Sequence, residues 1–300
     1  MKEDMKMILT AEDYNEYLDV ETLHPLVNVV DMSTVKPMFF KKAYYGMYCV
    51  FLKNVMCGPL RYGNKYYDYQ DGTIVAMGPG QVYGVESEEL VNPSGWTLVF
   101  HPDFIHGTEL GRMIKDYTFF SYDNDEALHI SQRERDEIET CFKTIQAELE
   151  KTIDKHTQHV VCRQIGLLLD YCLRFYDRQF ITRHPANSDL LTRFEEKLDE
   201  YIHGPLIKQH GTPTVQYFAS ELCLSANYFG DLIKKELGMS PKDYMMQKLI
   251  DVAKEELLSS KDSISVIGEN LGFEYANHFT RLFKKYTSMS PSDYRTKHLA

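Results

Sequence analysis

The sequence predicts an α+β protein with a strand-rich N-terminal part and a helical C-terminal part. Between about residues 43 and 102, short β-branched and aromatic runs alternate with turns rich in glycine and proline, which is typical of antiparallel strands. Toward the C-terminus, apolar residues recur every three or four positions, as they do on helices. Because 300 residues exceed one small module, we expect separate domains over residues 1–125 and 187–300, with a helical region over 126–186 between them.

Composition and charge argue against several classes of protein. The net charge of −11 argues against a nonspecific nucleic-acid coat. No apolar run approaches the length of a membrane span, and the charged N-terminus lacks the apolar stretch of a signal peptide. The six cysteines include no CxxC pair and lie mostly in apolar runs. We therefore expect a cytoplasmic protein with reduced cysteines and no membrane partner.

The strand-rich part begins with a predicted helix over Ala11–Leu18. Strands are then predicted in the segments LHPLVNVVDMS, AYYGMYCVFLK, RYGNKYYDYQ, GTIVAMGPG and GWTLVFHP. Short strands at this spacing favour a small antiparallel β-barrel or jelly roll. The segment YTFFSY, residues 117–122, is interpreted as another strand or a buried connector.

This part of the chain is rich in tyrosine and holds the only tryptophan. Such rings often cover half-exposed faces of a sheet, but they can also line a pocket and offer an apolar wall with a phenolic hydrogen bond. The segment 100–110 is a candidate pocket rim, although a histidine there could simply cap a strand end. The candidate ligand-binding residues are Tyr48, Tyr67, Trp96 and His101.

No catalytic or metal site and no cofactor are predicted. A metal site on such strands needs closely spaced histidines and a carboxylate, whereas residues 43–100 contain no histidine. His156 and His159 are three residues apart but have no third ligand nearby in the sequence, so we interpret them as surface residues. No spacing supports a nucleophilic or paired-carboxylate site, and we expect a protein that is not an enzyme.

Two helices are predicted in the middle region. Ser131 and Glu134 have the spacing of a capping box. An apolar stripe follows, which would either pack on the protein's own barrel or form a seam for self-association; its residues are Ile138, Phe142, Ile145, Leu149 and Ile153. The next helix, about 159–180, is apolar nearly all round and should be buried on several sides. Residues 183–188 are the predicted linker, and the following helix is expected over Leu190–Ile202.

The C-terminal part contains a repeat with an offset of 50 residues. Residues 227–244, NYFGDLIKKELGMSPKDY, match residues 277–294, NHFTRLFKKYTSMSPSDY. A short helix and a tight turn precede each copy, so each unit is a predicted helix-turn-helix whose second helix can enter the DNA major groove. The predicted core residues are Ala219, Leu222, Phe229, Leu232, Ile267, Leu271, Phe279, Leu282 and Phe283.

This tandem pair resembles the DNA-binding domain of the AraC/XylS family of bacterial transcription regulators. A linking helix is predicted over Pro241–Ser260 with Ser240 as N-cap. The pieces GF, FTRLFKKY and SPSDYR, at 272–273, 279–286 and 290–295, are similar to the signature of the family, and the resemblance covers about 189–300. The sequence differs from the family at Ser288 (usually Gly), at Lys248 (usually Arg), and at Gly230 and Asp231, where base-reading residues are expected.

The resemblance implies which residues contact DNA. In the first copy these are Asn227, Asp231 and Lys234, and in the second Asn277, His278, Thr280, Arg281 and Lys284. Arginine can pair with guanine and asparagine with adenine, whereas an aspartate near phosphate is unfavourable. We therefore expect the second copy to carry more of the base reading. Residues 186–300 hold 14 Lys and Arg against 16 Asp and Glu, so positive charge must be placed locally, at Lys234, Lys235, Arg281, Lys284, Lys285, Arg295 and Lys297.

The resemblance also implies a function. The family's N-terminal domain is often a cupin-like barrel that senses a small molecule and dimerises. The implied protein is thus a ligand-responsive transcription regulator with double-stranded DNA, a small-molecule effector, RNA polymerase and a second copy of itself as partners. Two alternatives stay open: a regulator whose barrel only dimerises or contacts proteins, and a cupin-type enzyme fused to a DNA-binding domain.

Overall fold

The computed structural model describes residues 5–53, 72–83, 87, 89–123, 126–182 and 184–299. Contacts within the chain divide it into two compact units, residues 1–183 and 184–300. The further division of the first unit near residue 125 stays a prediction. Among the described residues, no helix combines the length and the apolar character needed to cross a membrane.

The first unit contains two sheets. One has the order β1-β3-β6 and the other β2-β7-β4-β5-β8. All neighbouring strands are antiparallel except β1 and β3, which run parallel. The strands are β1 (Lys6–Ile8), β2 (Val27–Asp31), β3 (Ala43–Tyr45), β4 (Tyr48–Lys53), β5 (Gly72–Met77), β6 (Gln81–Tyr83), β7 (Gly95–Phe100) and β8 (Leu128–Ile130). The predicted strand in RYGNKYYDYQ lies outside the described residues.

The prediction of a closed barrel is wrong for the described part of the chain, because both sheets are open there. Helical side chains satisfy the free edge of β8 instead of another strand. The amide of His129 donates to Oε1 of Gln179 at 2.8 Å, and its carbonyl accepts from the guanidinium of Arg178 at 2.6 Å. A sheet edge covered in this way needs no closure. A cupin fold is therefore not established for this unit.

The described part of the first unit also contains five α-helices: α1 (Ala11–Leu18), α2 (Pro102–Ile105), α3 (Glu109–Met113), α4 (Gln132–Leu149) and α5 (Thr157–Thr182). A single buried cluster joins side chains of α1 with side chains of both sheets. Segment 117–122 is a mostly buried connector with a 3-10 turn over Thr118–Ser121, and it is not a strand.

Helix α4 begins with the predicted capping box, in which Ser131 accepts from the amide of Glu134 and Glu134 accepts from the amide of Ser131. The apolar stripe packs within its own unit, because Ile138, Phe142, Ile145 and Leu149 are buried. The ring of Phe142 stacks on Trp96 with 5.9 Å between centroids. These four residues are therefore not exposed for self-association, whereas Ile153 is exposed beyond the end of the helix.

The second unit is helical over its whole described length. Its helices are α6 (His184–His203), α7 (Leu206–His210), α8 (Val215–Glu221), α9 (Ala226–Leu237), α10 (Pro241–Ser259), α11 (Ile264–Asn270), α12 (Ala276–Thr287) and α13 (Pro291–Leu299). Residues 184–188 of the predicted linker are helical, and the boundary between the two units falls at the start of that segment, between residues 183 and 184. Proline is tolerated in the first turn of a helix, where its missing N–H would be unpaired anyway, and Pro185 occupies that turn.

Hydroxyl side chains begin most of the helices that build the two motifs. Thr214, Ser225, Ser240 and Ser263 each accept a hydrogen bond from the backbone amide three residues ahead. Such caps satisfy amides that have no partner within the helix. The predicted bounds of α10 and its cap at Ser240 are confirmed to within one residue.

Candidate DNA-binding surface

The two helix pairs close their turns in the same way. In the first, the amide of Leu224 donates to the carbonyl of Ala219, and in the second Phe273 donates to Gly268, both at 2.9 Å. The residue before each donor has a positive φ, 57° at Cys223 and 78° at Gly272. The second turn is one residue longer before its second helix begins. The repeat is thus a structural repeat, with one inserted residue.

The apolar faces of both pairs form the core of the second unit. All the predicted core residues are buried except Leu282, which is half-buried. Phe194 of α6 contacts the rings of Phe218 and Phe229 edge to face, at 5.4 and 5.1 Å between centroids. In the second pair, Phe279 and Phe283 meet at 5.8 Å. One face of the second helix of each pair is therefore packed in the core, and the opposite face points to solvent.

The exposed face of α12 carries Asn277, Arg281 and Lys284, spaced i, i+4 and i+7 on one side of the helix. His278 is also exposed. Arg281 and Lys284 form no ion pair with any residue in the described part of the chain. Thr280 is half-buried, and its hydroxyl donates to the carbonyl of Ala276 at 3.0 Å. The arginine, the asparagine and the lysine are thus free to meet an external acceptor.

Helix α9 presents the corresponding positions Asn227, Asp231 and Lys234. Asn227 and Lys234 are exposed, whereas Asp231 is half-buried. Gly230, also half-buried, adds no side chain to this face. Two cationic or amide side chains therefore face outward here, as against three on α12.

Tyr275 is a residue of this surface that the sequence analysis missed. It occupies the N-cap position of α12, where it provides no side-chain hydrogen bond, whereas Ser225 caps α9 in the first copy. Its ring is 54% exposed and contacts His278 edge to face, at 5.5 Å between centroids. The signal in the sequence was the alignment of an aromatic residue with a capping serine.

Polar bridges fix α10 against its neighbours. Asp243 accepts hydrogen bonds from the hydroxyls of Ser240 (2.7 Å) and Tyr286 (3.1 Å). These two bonds lower the pKa of the Asp243 carboxyl below its ordinary value. The hydroxyl of Tyr244 donates to Glu195 of α6, and desolvation together with this carboxylate raises the pKa of the phenol. Helices α6, α10 and α12 are thus linked around the start of α10.

Arg295 was expected to contribute positive charge toward DNA, but its guanidinium is engaged within the unit. It donates from Nε to the carbonyl of Leu257 at 2.9 Å and from Nη1 to the carbonyl of Asp262 at 2.8 Å. These carbonyls lie at the end of α10 and just after it. Arg295 is therefore a structural clamp that satisfies backbone groups left open by the end of a helix.

The segment before the first motif packs on the second motif. The backbone of Gly211 approaches Gly272 so closely that a β-carbon at Gly272 would lie 2.6 Å from the carbonyl carbon of Gly211. The carbonyl of Gly211 also accepts from the hydroxyl of Tyr201 at 3.0 Å. The segment between α6 and α8 thus contains a short helix, α7, followed by a glycine that contacts the turn of the second motif.

The first unit contains a separate cavity of about 310 Å³. Seven aromatic side chains line it, and they come from α1, β3, β4, β6, β7 and the segment before β3. They are Tyr14, Tyr17, Phe40, Tyr45, Phe51, Tyr83 and Trp96. The ring of Phe51 stacks on Tyr83 at 5.2 Å. A largely apolar cavity with a few polar groups is the usual form of a small-molecule site.

Of the four candidate ligand-binding residues, Trp96 lines this cavity. Tyr48 does not, and its ring stacks on Phe100 at 5.1 Å. His101 also lies apart from the cavity, and its Nδ1 accepts from the amide of Asp103 at 3.2 Å as the cap of α2. Tyr67 lies outside the described residues. The sequence analysis missed the contribution of α1, because it assigned no role to that helix.

The match to a known protein family falls within the helical second unit. The family model described as "Helix-turn-helix domain" matches residues 218–297. Comparison with curated proteins gives no match. The C-terminal domain of the two-component response regulator yesN from Fusobacterium nucleatum is 32% identical over 34% of this chain and 96% of that one, with a TM-score of 0.29.

Two further solved structures are similar at lower identity. A transcriptional regulator from Chromobacterium violaceum, described as having an AraC-type DNA-binding domain, is 23% identical over 34% of this chain and 92% of that one, with a TM-score of 0.29. The DNA-binding domain of AdpA in complex with a target DNA is 18% identical over 37% of this chain and 91% of that one, with a TM-score of 0.31. The family match shows that the chain carries an AraC-type helix-turn-helix domain over residues 218–297.

Proposed function

We propose that the protein is a sequence-specific transcription regulator that binds double-stranded DNA through α9 and α12. The observation that carries the proposal is the duplicated helix pair. Each second helix buries one apolar face and carries polar side chains at i, i+4 and i+7 on another face; all three are exposed on α12, and the first and third are exposed on α9. Two such helices can occupy successive major-groove segments, roughly 34 Å apart.

In this proposal the second motif reads more of the sequence. Arg281 makes the base contact, because a guanidinium can pair bidentately with guanine, and Asn277 can pair with adenine. Lys234 and Lys284 contact phosphates, and His278 and Thr280 lie beside them. Asn227 and Asp231 contribute less, because the carboxylate of Asp231 is repelled by phosphate. Local placement of cations offsets the lack of a net positive charge in residues 186–300.

The second part of the proposal is that a small ligand in the first unit controls DNA binding. The cavity supports this reading over that of a unit used only for dimerisation or protein contacts, because a collapsed interior would offer no room for an effector. A homodimer, a contact with RNA polymerase and a cytoplasmic location belong to the same proposal.

Selection of bound sequences from random duplex DNA tests the proposal. Full-length protein at fixed, moderate salt should enrich one site that spans two major-groove segments, because affinity for DNA depends steeply on salt. Repetition of the site at a fixed spacing would support a dimer. Absence of enrichment with both the full-length protein and residues 187–300 would refute DNA binding, whereas enrichment by the fragment alone would support control by the first unit.

A further inference from the structure

The cavity of the first unit contains both apolar walls and a small set of polar groups. Seven aromatic side chains contribute to the wall, and Leu18, Leu52, Val91 and Met32 add further apolar surface. At about 310 Å³ it lies at the lower end of the usual range for ligand pockets, roughly 300–1,000 Å³. The volume and the walls favour a compact apolar molecule over a sugar or a nucleotide, because a molecule with many hydroxyls would need a partner for each.

The hydroxyl of Tyr45 is a polar group of the wall that has no hydrogen-bond partner among the described residues. Tyr45 is only 5% exposed, and its hydroxyl makes no hydrogen bond with any residue that the structure describes. Burial raises the pKa of this phenol above its ordinary value, so the hydroxyl keeps its proton at neutral pH. A tyrosine hydroxyl that has no partner in the protein can donate a hydrogen bond to a bound acceptor.

The described charged side chains of the lining have one sign. Among the described residues that line the cavity, Lys41 and Lys53 are charged and none is acidic. Lys41 is exposed and Lys53 is half-buried, with its ammonium 5.0 Å from the centre of the Tyr83 ring. Neither lysine forms an ion pair within the described part of the chain. Both are therefore free to attract an anion.

We infer that the cavity binds a small apolar molecule with a single negative charge, such as an aliphatic or aryl carboxylate. The apolar body lies between the aromatic walls, the carboxylate meets Lys41 and Lys53, and the hydroxyl of Tyr45 donates to an acceptor of the ligand. This inference rests on the proposed control by a ligand and names the chemical class of that ligand. A neutral or cationic molecule of the same size would lose the attraction to the lysines.

The test uses the single tryptophan as its reporter, because Trp96 is the only one in the chain and lines the cavity. Full-length protein is titrated with 3-phenylpropionate, 3-phenylpropanol and 3-phenylpropylamine, and separately with octanoate, octanol and octylamine, while Trp96 fluorescence is recorded. In at least one series the acid should bind about five- to tenfold more tightly than the alcohol, since the ion pairs are partly exposed to solvent, and the amine most weakly.

Variants locate the preference. Lys53→Met combined with Lys41→Met should remove the advantage of the acid and leave the affinity for the alcohol nearly unchanged. Tyr45→Phe should lower the affinity for the acid and leave the fold unchanged, because only a hydroxyl is lost. Lys36→Met is the matched control: Lys36 is exposed, pairs with Asp19 at 2.6 Å and does not line the cavity, so this variant should keep the full preference.

Three results would overturn the inference: equal or tighter binding of both alcohols, an unchanged preference in the double lysine variant, or no response of Trp96 to any of the six probes. DNA binding is measured separately, with and without the tightest acid. A protein that binds the acid but enriches no DNA would refute the proposed function and leave the ligand class standing. If the protein binds both the acid and DNA, and neither changes the affinity for the other, only the proposed regulation of DNA binding by the ligand is refuted.

Discussion

The hydroxyl of Tyr286, near the end of α12, donates a hydrogen bond to Oδ1 of Asp243, in the first turn of α10, over 3.1 Å. Asp243 is also bonded to Ser240, the cap of α10. One carboxylate therefore joins the beginning of the helix that links the two motifs to the helix that bears Arg281. Its partners fix how the second motif is oriented relative to the linking helix.

Replacing Tyr286 with Phe should lower the free energy of unfolding by about 0.5–1 kcal/mol, the low end for a hydrogen bond, because the pair is solvent-accessible. Chemical denaturation measures this. Tyr217→Phe is the control within the same unit, since its hydroxyl bonds to no residue of the described chain, and it should change stability by less than about 0.5 kcal/mol. Equal effects of the two variants would mean that the bond is not formed in solution.

The same bond has a pH dependence of known sign. Because the hydrogen bonds from Ser240 and Tyr286 lower the pKa of Asp243 below 3.8, their stabilisation is complete above the unfolded-state pKa of a carboxyl group. It is lost as the pH falls through the lower folded-state value. The stability difference between wild type and Tyr286→Phe should therefore be constant above about pH 5 and shrink toward pH 3. A difference that grows on acidification would contradict the assignment.

The ends of the two second helices differ by one residue type at the same backbone conformation. Gly238 has a φ of 71° and Ser288 a φ of 62°. A serine there is strained, so Ser288→Gly should raise the free energy of unfolding by about 0.5–1 kcal/mol, after the greater freedom of glycine in the unfolded chain is subtracted. Gly238→Ser should lower it by a similar amount, because the space around Gly238 is open and only the backbone is affected. Thermal or chemical denaturation of both variants measures this, and the prediction fails if the two changes have the same sign.

In the turns of the two motifs the glycine is in the second copy: Gly272 there corresponds to Cys223 in the first copy, and both have a positive φ. Gly272→Ala should destabilise the unit by at least about 2 kcal/mol, because a β-carbon would strain a φ of 78° and would also collide with Gly211. At the matching position Cys223 is exposed, so Cys223→Gly should stabilise by about 0.5–1 kcal/mol. Urea denaturation compares the two. A mild effect of Gly272→Ala would show that the two copies separate easily at this contact.

Arg281 and Lys284 separate base reading from phosphate binding. Arg281→Ala should weaken binding by about 1–3 kcal/mol at the selected site and much less on unrelated DNA. Lys284→Ala should weaken binding on all sequences alike and reduce the salt dependence of log K by about one. Both affinities are measured by titration at several salt concentrations. Uniform loss on all DNA with Arg281→Ala would reassign that residue to a phosphate.

The sequence predicted the second unit far better than the first. Helix caps, prolines and apolar spacing depend only on residues close together in the sequence. The start of α10 at Pro241 could therefore be predicted from the sequence. The closure of a sheet depends instead on which distant strands pair. The prediction of a barrel failed because side chains of α5, Gln179 and Arg178, take the hydrogen bonds of β8. The helical start at His184 was missed because residues 183–188 were interpreted as a linker.

The candidate sites show the same division. The positions on α9 and α12 follow from helical spacing, so the exposure of Asn277, Arg281 and Lys284 could be predicted, although their contact with DNA stays a prediction. The cavity could not be predicted in this way. Trp96 and Tyr48 occur on neighbouring strands in similar sequence, but only Trp96 lines the cavity. The role of Tyr275 was hidden because a cap position is normally judged by whether it holds a serine, a threonine, an asparagine or an aspartate.

The contact between Gly211 and Gly272, together with the hold of Arg295 on the end of α10, bears on how the duplicated unit unfolds. Neither copy is closed on itself, because residues before the first copy pack on the second, and the last helix satisfies carbonyls at and just beyond the end of the helix between the copies. The duplication therefore produced one cooperative folding unit rather than two. A chain ending after the first copy would lose partners on both sides, and amide hydrogens deep in α9 and α12 should exchange with a common opening free energy.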